Sequence, residues 1–183
     1  MTPLFSRAFD ELETGASFTS RGRTLTEADV VSFAGLTGDV HPQHTDAEWA
    51  RSSPFGERVA HGMLVLSYAV GLVPLDAARV VALRRISDAV FKRPARIGDT
   101  IRVNGRIDSL REVDAGTGLV GWRWTVADQH EKTLARATVE VLWRRGEVEA
   151  EAASPSAENG RPAALDILAA GAAGRFDASV LPL

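Results

Sequence analysis

The spacing of apolar residues changes midway along the chain, and the change predicts two kinds of structure. The stretch 59–73 is apolar on nearly every side of a helix, which is typical of a helix buried inside a protein. From about residue 79, apolar residues recur at every second position, which indicates β-strands. These strands are expected over residues 80–91, 99–113, 119–130 and 133–144. A buried helix followed by long, mainly antiparallel strands predicts an α+β fold.

The region before the long helix predicts a short strand and two shorter helices. Residues 16–25 alternate loosely and indicate a first strand. Thr26 begins a Thr-Glu-Ala-Asp segment that resembles a capping box, so a helix should start there. Gly38 is expected to end this helix and to lead the chain directly to Asp39. Asp46 is expected to cap a second, shorter helix.

Length and composition favour one domain with a C-terminal extension. The chain has 183 residues, of which 45% are hydrophobic and 25% charged, which suits a globular domain with a core of its own. We predict a single domain over residues 1–145. Residues 146–183 contain mainly Glu, Ala, Ser and Pro at first, and we predict a tail there, docked or mobile.

Charge and cysteine content limit the classes of function. A net charge of -3 gives no general attraction to nucleic acid or to an anionic membrane, so neither is expected as a partner. The chain has no cysteine, which excludes disulfides, thiolate metal sites and cysteine nucleophiles. The N-terminus lacks the pattern of a signal peptide, and 63–75 is too short and interrupted to span a bilayer. We therefore expect a cytoplasmic protein.

Three of the four histidines lie within residues 41–61, which indicates a functional site. Asp39 and His44 are five residues apart across a proline. They could simply cap a turn and the helix that follows. Alternatively, a carboxylate beside an imidazole can hold one water and move protons to and from a reacting carbon.

Gly62, at the start of the long helix, also has two interpretations. It could permit close packing, as glycine often does. Alternatively, the unpaired N–H groups of the helix N-terminus could bind a carbonyl oxygen as negative charge develops on it.

Three separated motifs together resemble one protein family. They are FAGLTGDVHPQH at 33–44, FGERVAHGML at 55–64 and FKRPARIGDT at 91–100. In this order and spacing they resemble the MaoC-like dehydratases, the (R)-specific type-2 enoyl-CoA hydratases, over about residues 15–145. The resemblance implies a hot-dog fold, in which an antiparallel β-sheet wraps a long central helix, and it implies a homodimer.

The resemblance also implies an activity and its residues. The expected reaction is the reversible hydration of trans-2-enoyl thioesters, or dehydration of (R)-3-hydroxyacyl thioesters. Asp39 and His44 match the two residues that share the catalytic water, and Gly62 matches the residue whose backbone N–H binds the thioester oxygen. No cofactor is expected, because coenzyme A or phosphopantetheine of an acyl-carrier protein serves only as the substrate carrier.

Two positions depart from the family pattern. His41 stands where the family usually has Asn, and Gln43 where it has an aliphatic residue. His41 is therefore a candidate contact for an unusual substrate, although His can copy the backbone bonds of Asn only in part. His61 is a second candidate contact, with packing beside Gly62 as the alternative. Asp39 and the three histidines have the ligand types of a zinc or iron site, but the proline at 42 breaks their spacing and no metal is predicted.

Lys92, Arg93 and Arg96 form a basic cluster near the third motif. They are candidate contacts for the phosphates of the carrier, with a solvated strand face as the alternative. The alternating Trp122 and Trp124 are expected to pack in the sheet or at a dimer surface.

Two other functions remain open from the sequence. A hot-dog thioesterase would direct water at the carbonyl carbon instead of the β-carbon. A non-catalytic subunit would shape the acyl tunnel of a second hot-dog chain. The Asp39 and His44 pair argues against both alternatives.

Overall fold

Long antiparallel strands form the larger part of the regular secondary structure in the computed structural model, which describes residues 2–146. In chain order the elements are the 3-10 turns Leu4–Ser6 and Phe9–Glu11, strands β1 (Ser17–Thr19) and β2 (Arg23–Thr24), helices α1 (Glu27–Thr37), α2 (Pro42–Thr45), α3 (Ala47–Arg51) and α4 (Gly62–Leu72), and strands β3 (Val80–Phe91), β4 (Thr100–Glu112), β5 (Thr117–Ala127) and β6 (Thr133–Arg144). The six strands form a sheet in the order β1-β4-β5-β6-β3, with β2 paired to β4. Strand β3 therefore lies at one edge of the sheet.

The core lies between the sheet and α4, as predicted for a helix wrapped by strands. Leu64, Val65 and Ala69 of α4 are buried in it. Trp122 and Trp143 are buried completely, and the ring of Trp122 stacks on Phe5 with 5.5 Å between centroids. Trp124 is also buried, two residues from Trp122 and on the same face of β5, so the prediction that these tryptophans pack in the sheet is confirmed.

Helix α4 differs from the prediction in two respects. It begins at Gly62 instead of residue 59. Val59 forms a β-bridge with Arg96, and the N–H of Ala60 donates to the carbonyl of Ala95 at 2.8 Å. These two contacts hold Val59 and Ala60 in an extended conformation. The helix is also not covered on every side. One stripe at helical spacing is exposed, formed by Met63, Ser67 and Gly71.

The predicted first strand is divided. Residues 17–19 and 23–24 form two short strands, β1 and β2, that pair with different parts of β4. Ser20 lies between them, and its hydroxyl accepts a hydrogen bond from the N–H of Val103 at 2.9 Å. Gly22 is close to the Thr100 side chain, since a Cβ added to it would lie 2.9 Å from that methyl group.

Helix α1 has the predicted ends. Thr26 caps its start, with its hydroxyl accepting from the N–H of Asp29 while the Asp29 carboxylate accepts from the N–H of Thr26. Gly38 ends it in the left-handed conformation, at φ 74°. This conformation turns the chain away from the helix axis at Asp39.

The predicted C-terminal tail at 146–183 lies outside the described residues, apart from Gly146. Within residues 2–146, no helix is both long and apolar enough to cross a membrane.

Candidate active site

Asp39 directly follows the glycine that ends α1. Its side chain is exposed and accepts one long hydrogen bond, at 3.4 Å from the N–H of His41. Its backbone carbonyl accepts from Nε2 of His61 at 2.9 Å. The main chain of Asp39 is therefore fixed while its carboxylate stays free to bind another group.

His44 lies on α2 and is buried, with 4% of its surface exposed. Its Nδ1 donates to the carbonyl of Val59 at 2.7 Å, and its Nε2 lies 3.0 Å from the amide nitrogen of Gln43. Because a carbonyl oxygen can only accept, Nδ1 carries the hydrogen and Nε2 keeps the lone pair. The helix that follows is capped by Asp46, so His44 does not cap it.

The surroundings of His44 favour its neutral form. Burial lowers the pKa of its imidazole, and the nearby rings of His61 and His41 act in the same direction. The Val59 carbonyl and the Asp39 carboxylate oppose this shift. The net effect is a lowered pKa, so His44 is a neutral base at neutral pH.

His61 connects the two residues of the pair. Its ring stacks on that of His44 with 3.8 Å between centroids, and its Nε2 holds the carbonyl of Asp39. The residue is buried, yet its Nδ1 has no hydrogen-bond partner among the described residues. These contacts give His61 the packing and hydrogen-bonding role that the sequence offered as one alternative.

Gly62 is the first residue of α4, where backbone N–H groups have no acceptor within the helix. The preceding His61 makes no side-chain cap, because its ring is bonded to Asp39. The ring of Phe91 lies against Gly62, and a Cβ added there would be 2.8 Å from it. A larger residue here would push the Phe91 ring aside, and glycine leaves the helix N-terminus accessible.

One cavity of about 470 Å³ joins these groups. Asp39, His44, His61 and Gly62 all line it, and it continues along apolar side chains. The polar residues of the wall are Asp39, Gln43, His44, His61, Lys92 and Arg93, and the apolar ones include Phe55, Val59, Val65, Phe91 and Leu134. The cavity thus combines a carboxylate and a neutral imidazole with apolar surface, as ligand-binding cavities commonly do.

Two of the predicted contact residues lie outside this wall. His41 caps α2, because its Nδ1 accepts from the N–H of Gln43 at 3.2 Å. It therefore reproduces the backbone bond expected of Asn. Arg96 is paired with Glu57 at 2.6 Å, whereas Lys92 and Arg93 do line the cavity.

Asp39, His44 and His61 also offer ligand atoms within 4.8 Å of one another, as a metal site would. However, the two imidazole planes are stacked with only 26° between them. The lone pairs lie in these planes, so they do not converge on one ion without rotation of a ring. The prediction of no metal stays a prediction.

Three contacts in the site cannot be predicted from the amino-acid sequence. The bond from His44 to the Val59 carbonyl joins residues 15 apart, and backbone carbonyls carry no signal in a sequence. The contact of Phe91 with Gly62 also depends on the tertiary structure. The third is the contact of Gln43 with His44, since Gln43 stands out in the sequence only as a departure from the family pattern.

Comparison with known proteins identifies the family. Residues 11–123 match the MaoC like domain, so the chain belongs to this family, as the motifs predicted. It is 43% identical to Protein MaoC of Klebsiella aerogenes, over 54% of this chain and 30% of that protein. It is 31% identical to the (R)-specific enoyl-CoA hydratase of Rhodospirillum rubrum, over 56% of this chain and 70% of the hydratase. The match thus spans less than a third of the first relative.

Solved structures confirm the fold. A monoamine oxidase regulatory protein from Archaeoglobus has a TM-score of 0.73 and 35% identity, covering 77% of this chain and 96% of that one. A conserved Mycobacterium tuberculosis protein with a double hot-dog fold has a TM-score of 0.69 and 22% identity. The match covers 86% of this chain and 54% of that chain. The predicted hot-dog fold is therefore confirmed.

Proposed function

We propose that the protein is a hydro-lyase that reversibly adds water to trans-2-enoyl thioesters and forms (R)-3-hydroxyacyl thioesters. The observation that carries this proposal is that Asp39, neutral His44 and the N-terminus of α4 face a single cavity whose wall also contains apolar side chains. The relative from Rhodospirillum rubrum, an (R)-specific enoyl-CoA hydratase by name, supports the same activity.

The proposed chemistry follows from the position of each group. The thioester oxygen accepts from the N–H of Gly62, which stabilises the negative charge that develops on it. A water held between Asp39 and His44 adds its oxygen to C3, and the electron pair of the C2–C3 double bond moves toward the thioester. One proton of the water passes to this pair, to Nε2 of His44 or to the Asp39 carboxylate, and the pair then returns that proton to C2, so both side chains end in their starting states.

The reaction as proposed needs no cofactor, since Asp39 and His44 can supply both proton transfers. The carrier is proposed to bind beside the cavity. Lys92 and Arg93 also border a depression with Lys132 and Arg136. Four cations in one depression suit the phosphate groups of coenzyme A or of a phosphopantetheine arm. The cytoplasmic location stays a prediction.

We also propose that two copies of the chain associate through β3. This strand is at the edge of the sheet, and Leu83, Ile86, Val90 and Phe91 on it are between 39% and 48% exposed. Long apolar edge strands are rarely left uncovered, because their free backbone groups pair with other chains. Phe91 also lines the cavity, so a second copy on β3 would cover its entrance.

The activity can be tested with crotonyl-CoA while free thiol is measured in the same sample. A hydro-lyase removes the enoyl absorbance without releasing thiol. A thioesterase releases thiol, and this outcome would replace the proposal. His44→Ala should abolish hydration, whereas His130→Ala, in the turn between β5 and β6, should leave it unchanged.

A non-catalytic subunit gives a different result. Wild type and His44→Ala would then be equally inactive on enoyl thioesters of every chain length, while the wild-type protein would bind a second hot-dog chain. Screening several chain lengths distinguishes this outcome from a simple mismatch of the acyl group.

A further inference from the structure

The Gln43 side chain occupies the one nitrogen of His44 that can accept a hydrogen bond. The amide nitrogen of Gln43 lies 3.0 Å from Nε2 of His44. Since Nδ1 donates to the Val59 carbonyl at 2.7 Å, the amide must donate to the lone pair on Nε2. A neutral imidazole has only this one acceptor site.

The same lone pair is required for the proposed reaction. A water shared by Asp39 and His44 can interact with the neutral ring only through Nε2. The Gln43 amide and that water therefore compete for a single position. Gln43 lines the cavity and its side chain is half-buried, so space exists for the amide to move.

We propose that Gln43 is a positioning residue that holds Nε2 of His44 in the free protein and is displaced by the reacting water when substrate binds. The expected change in kinetics rests on the proposed function, because it requires the protein to hydrate enoyl thioesters. The hydrogen bond itself can be tested without any substrate. An aliphatic residue at this position could neither donate to His44 nor compete with water.

The main chain of Gln43 explains why its side chain is held close to the ring. Its N–H donates to Nδ1 of His41 and its carbonyl accepts from the N–H of Val59 at 3.1 Å. Val59 is also the partner of His44. Both ends of the Gln43 peptide are therefore fixed, and the side chain alone is free to exchange partners.

Other ionisable groups near His44 must be held constant in a test. Asp39 and His61 lie beside the ring, His41 precedes α2, and Lys92 and Arg93 line the same cavity from the end of β3. A change at Gln43 leaves all of them in place. The most direct readout is the titration of the His44 ring, observed by NMR in the protein without substrate.

The informative variants are Gln43→Glu and Gln43→Met. A carboxylate close to Nε2 favours the charged ring, so Gln43→Glu should raise the pKa of His44 by about 1 unit or more. Gln129→Glu is the matched control, because Gln129 bonds to Thr100 and Asp99, away from the cavity. This control should leave the His44 titration unchanged. An unchanged titration in Gln43→Glu would overturn the proposal.

Gln43→Met tests the competition with water. Methionine has nearly the same shape but cannot donate a hydrogen bond, so the displacement step is removed. Because displacement precedes chemistry, KM should fall severalfold with kcat close to wild type. A lower kcat with unchanged KM would contradict displacement and would indicate that Gln43 acts during the chemical step.

The wild-type protein provides a test that needs no variant. The ¹⁵N chemical shifts of His44 should show hydrogen on Nδ1 and a lone pair on Nε2. Hydrogen on Nε2 instead would overturn the proposal even if the protein hydrates enoyl thioesters. If no thioester reacts but the tautomer and the Gln43→Glu shift are as expected, the hydro-lyase function fails and the Gln43 contact stands.

Discussion

The two ends of helix α1 each place an aspartate beside the long helix α4, and the two carboxylates have opposite surroundings. At the first end, Asp29 accepts hydrogen bonds from Tyr68 at 2.5 Å, from the N–H of Thr26 at 2.8 Å and from Arg23 at 3.2 Å. At the other end, the Asp39 carboxylate accepts one long bond and faces a cavity. The first carboxylate is bound on several sides by groups of the protein, whereas the second keeps oxygen atoms available to another group.

The contrast also appears in proton binding. Burial raises the pKa of Asp29, but hydrogen bonds from Tyr68, Thr26 and Arg23 outweigh it and lower the pKa to about 2. Such a carboxylate is charged at every ordinary pH and cannot exchange protons with a substrate. In the site the lowered pKa belongs to His44, so this ring is neutral and can accept a proton.

The largest expected effect is at the site. Asp39→Asn keeps the size of the side chain but removes its ability to accept a proton. We expect kcat/KM for hydration to fall roughly a hundredfold to ten-thousandfold. Chemical denaturation should show an unfolding free energy within about 0.5 kcal/mol of wild type, because the carboxylate makes one long bond. A large loss of stability would show that Asp39 is structural.

The same substitution at the other end should have the opposite result. Asp29→Asn loses the charge that pairs with Arg23 and weakens the bond from Tyr68. We expect the unfolding free energy to fall by about 2 kcal/mol, the value of a pKa shift of this size. Activity of the remaining folded protein should stay within about twofold of wild type. Loss of activity without loss of stability would remove the distinction between the two ends.

The pH dependence of the unfolding free energy tests whether the ionised Asp29 is the stabilising form. Because the pKa of Asp29 is lower in the folded than in the unfolded protein, its stabilisation is present above the unfolded value, near 3.8, and is lost as pH falls through about 2. The difference in unfolding free energy between wild type and Asp29→Asn should therefore shrink between about pH 4 and pH 2. A difference that stays constant over this range would show that the ionised form is not the stabilising one.

The smallest effects are expected at two glycines of the α1 region. Gly38 has φ 74°, and a Cβ there would meet nothing within 4 Å, so Gly38→Ala should cost about 1 kcal/mol through backbone strain alone. Gly35 is inside α1 with the same open surroundings, so Gly35→Ala should instead stabilise by about 0.5–1 kcal/mol. Thermal unfolding of both variants should give shifts of opposite sign. Equal signs would contradict the assignment of Gly38 as the end of the helix.

The fold could be predicted closely where burial alternates along the chain. Strands β3 and β6 have the predicted bounds, 80–91 and 133–144. Helix α4 starts three residues later than the apolar pattern predicts, because the pairing of Val59 and Ala60 with residues 95–96 is a tertiary contact. Composition alone could not distinguish an extended apolar pair from the first turn of an apolar helix.

The residues of the candidate site could be predicted from the sequence, but their hydrogen bonds could not. Asp39, His44 and Gly62 were identified from motifs, and the structure places all three around one cavity. The tautomer of His44 depends on a carbonyl at Val59, and the occupation of Nε2 depends on the side-chain conformation of Gln43. Neither can be derived from residue spacing. They follow only once α2 is packed against the segment before α4.

The most direct test of the hydro-lyase function is to follow the oxygen of water. In water enriched in oxygen-18, the wild-type protein acting on a trans-2-enoyl-CoA should place the label on the C3 hydroxyl of an intact (R)-3-hydroxyacyl thioester, and Asp39→Asn should incorporate little. Label in a free carboxylate, with release of thiol, or no label in any product across acyl chain lengths, would contradict the proposed function.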